Sequence, residues 1–121
     1  FLGTVSLNEG NLAEASSLFQ RALKIRPNLA QAHNNLGTVF VRQGQLAQAA
    51  ESFRRATRAN PDYVDPCVNL GIVLFTQGKL YEAEAQLERA LELKPGIAAA
   101  QKRLQQVRAA LEKDPRGKSS P

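Results

Sequence analysis

The sequence predicts an all-α chain of about three stacked helix–turn–helix repeats closed by a C-terminal capping helix. Three observations carry this prediction. Residues recur at a fixed period of 34, apolar positions within each period hold helical spacing, and the last apolar stripe is one-sided. The clearest copy is AQAHNNLGTVFVRQGQLAQAAESFRRATRANP, residues 30–61. Leu36-Gly37, Gly44, Ala49, Phe53, Ala56 and Pro61 return as Leu70-Gly71, Gly78, Ala83, Leu87, Ala90 and Pro95. The same positions read backwards give Leu2-Gly3, Gly10, Ala15, Phe19, Ala22 and Pro27. Val5/Val39/Val73, Leu12/Leu46/Leu80 and Arg21/Arg55/Arg89 keep the same register. Such a period means units that cannot bury their apolar faces alone and stack to do so.

The repeats are expected over 1–97, as a truncated first unit (1–28), a second (30–63) and a third (64–97). A capping helix (98–113) and a flexible tail (114–121) follow. Residues 1–8 read as the remnant of a first helix. Asn11 and Glu14 suggest a capping box, and Leu12, Ala15, Leu18, Phe19, Ala22 and Leu23 continue a helix as far as Arg26. Pro27 stops it, because the residue before a proline is pushed out of the α region. The second unit predicts helices at about 30–43 and 46–59, broken at Gly44 and ended by Pro61. Gly37, Ala49 and Ala56 are small enough to let the two helix axes approach. Leu36, Gly37 and Phe40 are expected to face the second helix. The third unit predicts helices at about 63–77 and 80–93, with Pro66 in a first turn and Asp62 or Asp65 as N-cap. Ile97, Ala100, Leu104, Val107 and Leu111 then form a single stripe edged by Gln101, Lys102, Arg103, Gln105, Gln106 and Arg108, as a cap requires.

Composition narrows the function. One domain is expected at 121 residues, and two Tyr, five Phe and no Trp leave the core to Leu, Val, Ile and Ala. The chain starts at Phe1, inside a helix of the repeat frame, so it reads as a piece of a longer array. No signal peptide and no run of eighteen apolar residues is present, so no membrane span is expected. A single cysteine makes no internal disulfide, which fits a reducing, cytoplasmic setting. The net charge of +5 divides unevenly: +1 over 1–29, +2 over 30–63, −2 over 64–97 and +4 over 98–121. The third unit thus interrupts the basic footprint a nucleic-acid binder needs, and few aromatics are available to stack on bases. Nucleic acid is not an expected partner.

No catalytic constellation appears, and the chain reads as non-enzymatic. His33 stands without the Cys/His spacing of a metal site, and Cys67 holds the matching position one period later as a small apolar filler. No Walker-type loop exists, the recurring glycines are helix terminators, and no metal or cofactor is expected. Arg54, Arg55 and Arg58 read as a solvated helix face.

Leu36, Gly37, Phe40, Ala49, Phe53, Ala56 and Pro61 match the small-large pattern of the tetratricopeptide repeat (TPR) family, which the chain resembles over residues 1 to about 97. The departure is at the position that often carries Trp, here His33 and Cys67. The resemblance implies a right-handed α-solenoid whose first helices line a concave groove that holds a partner peptide. The groove positions are then Asn8, Gln31, Asn34, Asn35, Thr38 and Arg42, continued by Asp65, Val68, Asn69, Ile72 and Phe75 and finished by Arg103. Asn35 and Asn69 share one repeat position, and an amide with both donor and acceptor pairs with a peptide backbone, as in the TPR region attached to O-linked N-acetylglucosamine transferases. The competing role for them is local bonding or solvation. Leu7, Val41 and Phe75, one apolar residue per unit, either meet a ligand or pack under the next repeat's first helix. A carboxylate clamp for chaperone C-termini is disfavoured, since Asp65 and Asn69 stand where cations are needed.

Three functions follow as expectations. The first is a protein-interaction module. The second is an assembly element, a homo-oligomer joined through a truncated N-terminal edge of Leu2, Val5 and Phe19. The third is a targeting or regulatory arm of a larger enzyme.

Overall fold

The computed structural model describes residues 11–113, and within them the chain forms six α-helices and no strand. They are α1 (Leu12–Ile25), α2 (Ala30–Arg42), α3 (Leu46–Ala59), α4 (Val64–Thr76), α5 (Leu80–Leu93) and α6 (Ala98–Lys113). The expected first-helix remnant, with Asn8 and Gly10, and the expected tail lie outside the described residues. The chain divides into two compact units that meet in sequence between Tyr63 and Val64.

In the first unit α2 packs against both α1 and α3. Gly37 explains the second contact: a Cβ there would stand 2.5 Å from the Phe53 ring. The missing side chain lets the ring lie on the α2 backbone, and Phe53 is 1% exposed as a result. Leu36 and Phe40 were expected on the same face, but both belong to the apolar cluster built on α1. With Val39, Leu36 packs on Ala15 and Phe19 of α1, so one helix serves two neighbours through different rows. Phe19 is therefore buried rather than offered at an edge, while Leu2 and Val5 lie outside the described residues.

The helix ends follow from two devices. Before Pro27 and Pro61, Arg26 and Asn60 are extended, with φ/ψ of −132°/91° and −145°/92°. Their N–H groups still bond Ala22 and Ala56 carbonyls at 2.9 and 3.0 Å, which closes the last turn. At the other kind of end, Gly44 takes φ 76°. Gln45 N–H then reaches Phe40 O at 2.8 Å and Gly44 N–H reaches Val41 O at 3.0 Å, a Schellman closure.

The second unit repeats the plan. Gly71 faces Leu87, whose Cγ would lie 2.6 Å from an added Cβ. Gly78 (φ 79°) closes α4, and Lys94, before Pro95, is extended at −149°/93°. The last helix, α6, packs on α5 and also touches α4, burying Ala100, Leu104 and Val107. Arg108 straps it to α5, donating to Glu84 at 3.3 Å and Glu88 at 2.8 Å.

Side-chain capping is where the sequence reading fails. Asn11 flanks α1 but makes no side-chain cap bond. Its φ/ψ of −113°/12° is not the extended geometry from which an Asn side chain folds over the free N–H groups. α4 starts at Val64, so Tyr63 and not Asp62 or Asp65 stands at its N-cap position. Asn60 takes the turn instead, its Oδ1 accepting from Asp62 N–H at 3.2 Å while Asn60 O accepts from Tyr63 N–H at 3.1 Å. The helix starts at Val64, which leaves Asp65 inside the first turn, where its charge meets the helix dipole.

Candidate partner-binding surface

Each unit presents one row of side chains that the packing leaves exposed or half-buried. On α2 the row is Gln31, Asn35, Thr38 and Arg42, at spacings of 4, 3 and 4 that keep one helix face. Gln31 and Arg42 are exposed, and Asn35 and Thr38 are half-buried. The Thr38 hydroxyl donates to Asn34 O at 3.2 Å. On α4 the matching row is Asp65, Asn69, Ile72 and Thr76, with Asp65 and Thr76 exposed and Asn69 and Ile72 half-buried. Thr76 donates to Ile72 O at 2.9 Å.

The position before each asparagine leaves the row. Asn34 and Val68 sit about 100° further round their helices, and both are buried, at 7% and 9% exposure. The Asn34 amide donates to Tyr63 Oη at 3.4 Å, so it ties α2 to the end of its own unit rather than facing a guest. Phe75 is half-buried, and its counterpart Val41 is 39% exposed. Arg103, on α6, is half-buried and donates to Gln106 Oε1 at 3.1 Å.

The other singled-out groups are structural. His33 is 7% exposed, and its Nε2 lies 2.8 Å from Pro27 O. A carbonyl only accepts, so Nε2 carries the proton and donates. The ring thus pins the α1–α2 turn onto α2. Cys67 is 2% exposed, and burial pushes its thiol above the ordinary value, with Arg89 pulling weakly the other way. Among the described residues no group of three or more His, Cys, Asp or Glu is placed to hold a metal ion. No helix among them is long and apolar enough to cross a membrane.

Sequence reasoning missed two clefts in the first unit. One, of about 350 Å³, is lined by Pro27, Asn28, His33, Arg55, Arg58 and Ala59. The other, of about 520 Å³, shares Asn28 and Ala59 and adds Leu29, Ala30, Gln31, Asn60 and Tyr63. The available signal was the i, i+3 spacing of Arg55 and Arg58, which puts both guanidinium groups on one helix face. Nothing in the sequence ties that face to the α1–α2 turn.

No curated protein matches the chain. Solved structures match it well. The first TPR domain of Spaghetti (RPAP3), determined with an HSP90 peptide SRMEEVD, is 25% identical with a TM-score of 0.87, over 91% of this chain and 87% of that one. The Sgt2 TPR domain of Aspergillus fumigatus is 24% identical with a TM-score of 0.87, over 98% and 80%. An O-GlcNAc transferase of Thermobaculum terrenum is 28% identical with a TM-score of 0.79, over 87% of this chain but 20% of the transferase. These likenesses give the chain the all-α fold of tandem tetratricopeptide repeats. The model of the cilia and flagella-associated protein 70 middle TPR-like domain matches residues 6–112, and the chain belongs to that family.

Proposed function

We propose that the chain is a non-enzymatic protein-interaction module that holds a partner peptide on the uncovered faces of its first helices. One observation carries the reading. Packing buries most of the other positions of α2 and α4 yet leaves the ends of the rows Gln31–Asn35–Thr38–Arg42 and Asp65–Asn69–Ile72–Thr76 exposed and their middles half-buried. The amides of Asn35 and Asn69 supply donor and acceptor to a peptide backbone. Ile72 and Phe75 add apolar area for side chains. The RPAP3 structure, with its HSP90 peptide, is a relative of the same fold holding a short peptide.

The test is binding of a peptide array by the chain and by its Asn35→Ala/Asn69→Ala variant. Loss of one or two amide–backbone pairs weakens the selected peptides about 5- to 100-fold. Unchanged affinity with an intact circular-dichroism spectrum removes the asparagine mechanism. The likeness to the transferase favours a second reading, a targeting arm of a larger enzyme, which the sequence flanking these repeats decides.

A further inference from the structure

The cleft under Arg55 and Arg58 lies outside both open rows, and its chemistry differs from theirs. We propose that it is a second recognition site, taking a carboxylate side chain from an acidic peptide segment. Arg55 and Arg58 stand one turn apart on α3 and both line the cleft, while buried His33 forms a fixed floor through its bond to Pro27. Among the described residues Glu51 is the anion they meet, and it meets both through one oxygen, at 3.1 Å from Arg55 and 3.7 Å from Arg58. A guanidinium has five N–H donors, so most of them remain for a guest. The resident pairs are solvent-exposed and therefore weak, and an incoming carboxylate displaces them at little cost.

The fold does not require this arrangement. One period later the same positions hold Cys67, Arg89 and Glu92 in place of His33, Arg55 and Arg58, and Ala85 in place of Glu51. The third repeat thus lacks both the second cation and the polar floor; Arg21 and Lys24 keep two cations at the matching positions of the first, so what is particular to the second repeat is the pair standing over His33. Charge favours an anion here, since residues 11–63 carry seven Lys/Arg against three Asp/Glu. The adjoining cleft extends the site with the amides of Asn28 and Asn60, each of which offers a donor and an acceptor to a peptide backbone.

The experiment is a titration of the 121-residue chain with hexaglutamate, followed by ¹H–¹⁵N spectra that include the arginine Nε–H groups. Hexaglutamine and a six-nucleotide oligothymidine serve as controls. The expected result is a saturable shift of Arg55, Arg58, Asn28 and His33 with hexaglutamate and none with hexaglutamine. Arg55→Gln/Arg58→Gln should weaken it about tenfold or more, as loss of charge-assisted bonds requires. Glu51→Gln should strengthen it by freeing both cations. Asn35→Ala/Asn69→Ala should leave it unchanged, which separates this site from the open rows. The proposal is overturned by shifts spread over all basic residues without saturation, by an unaltered affinity in the double arginine variant, or by tighter binding of oligothymidine at the same residues. Both arginines are solvent-exposed, and a thermal melt of the variant shows that the fold is kept.

Discussion

At the scale of single residues, the two kinds of glycine separate two physical demands. Gly37 has no room for a Cβ, because Phe53 lies against its backbone. Gly44 has open space around it but a φ of 76°, a conformation that costs an L-residue about 1–2 kcal/mol. Gly37→Ala gains helix propensity yet forces a fully buried ring to shift, and a net loss of about 1–3 kcal/mol is expected in urea unfolding. Gly44→Ala loses about 1 kcal/mol by strain alone, so Gly44→Asn, which tolerates the left-handed region, recovers most of it. Equal behaviour of Ala and Asn at position 44 contradicts the strain argument. Cys67 supplies a pH test. Burial raises its thiol pKa in the folded chain, so the folded state favours the neutral form. Stability is unaffected below the unfolded thiol value, about 8.5, and falls as pH rises above it. Urea midpoints at pH 7 and pH 10 should show this decline, and Cys67→Ala should lack the cysteine's share of it.

At the scale of elements, α6 is held by two forces of different character. Its apolar stripe buries Leu104 and Val107 against the second unit, whereas Arg108 reaches two glutamates across open solvent. Leu104→Ala is expected to cost about 2–5 kcal/mol at any ionic strength. Arg108→Ala should lower the melting temperature slightly in dilute buffer and not at all in 1 M salt, because screening has already removed the pair. A salt-independent loss would show that Arg108 acts through packing of its stem. Element positions were legible because proline, glycine and the 34-residue period mark the same breaks three times. Capping was not. Asp65 has the right side chain, but the extended residue before Pro61 and the tight turn after it deliver the backbone straight into α4, and Asn11 meets α1 in a backbone geometry that keeps its side chain off the free N–H groups. Helix starts here rely on packing, so a cap motif carries little information about them.

At the scale of the whole molecule, the sequence told the fold and the family more readily than the surface. Periodic small residues fix which faces pack, and Gly37 and Gly71 meet Phe53 and Leu87 as the pattern requires. The open rows were legible only in part. Asn35 and Asn69 keep their place on them, but Asn34 turns inward to Tyr63 and Val68 is buried. A one-residue step moves a side chain about 100° around a helix, and sequence spacing alone does not show where a neighbour's side chain ends. The cleft beneath Arg55 and Arg58 was invisible for a related reason, since it joins α3 to a turn more than twenty residues away. A charge run reads as a solvated face until the turn beside it is known.

The pre-proline joints have one more consequence. Arg26, Asn60 and Lys94 leave their helices with closely similar backbone angles. A cut at one joint therefore presents the same stub as a cut at another, and 34 residues become a quantum of length. Copying residues 27–60 in tandem after Asn60 should give a folded chain with more helix and cooperative melting. Copying 33 or 35 residues should not, because every small residue would then meet the wrong neighbour. Growth and shortening of such a chain are quantised by its prolines, much as a zip fastener admits whole teeth and nothing between.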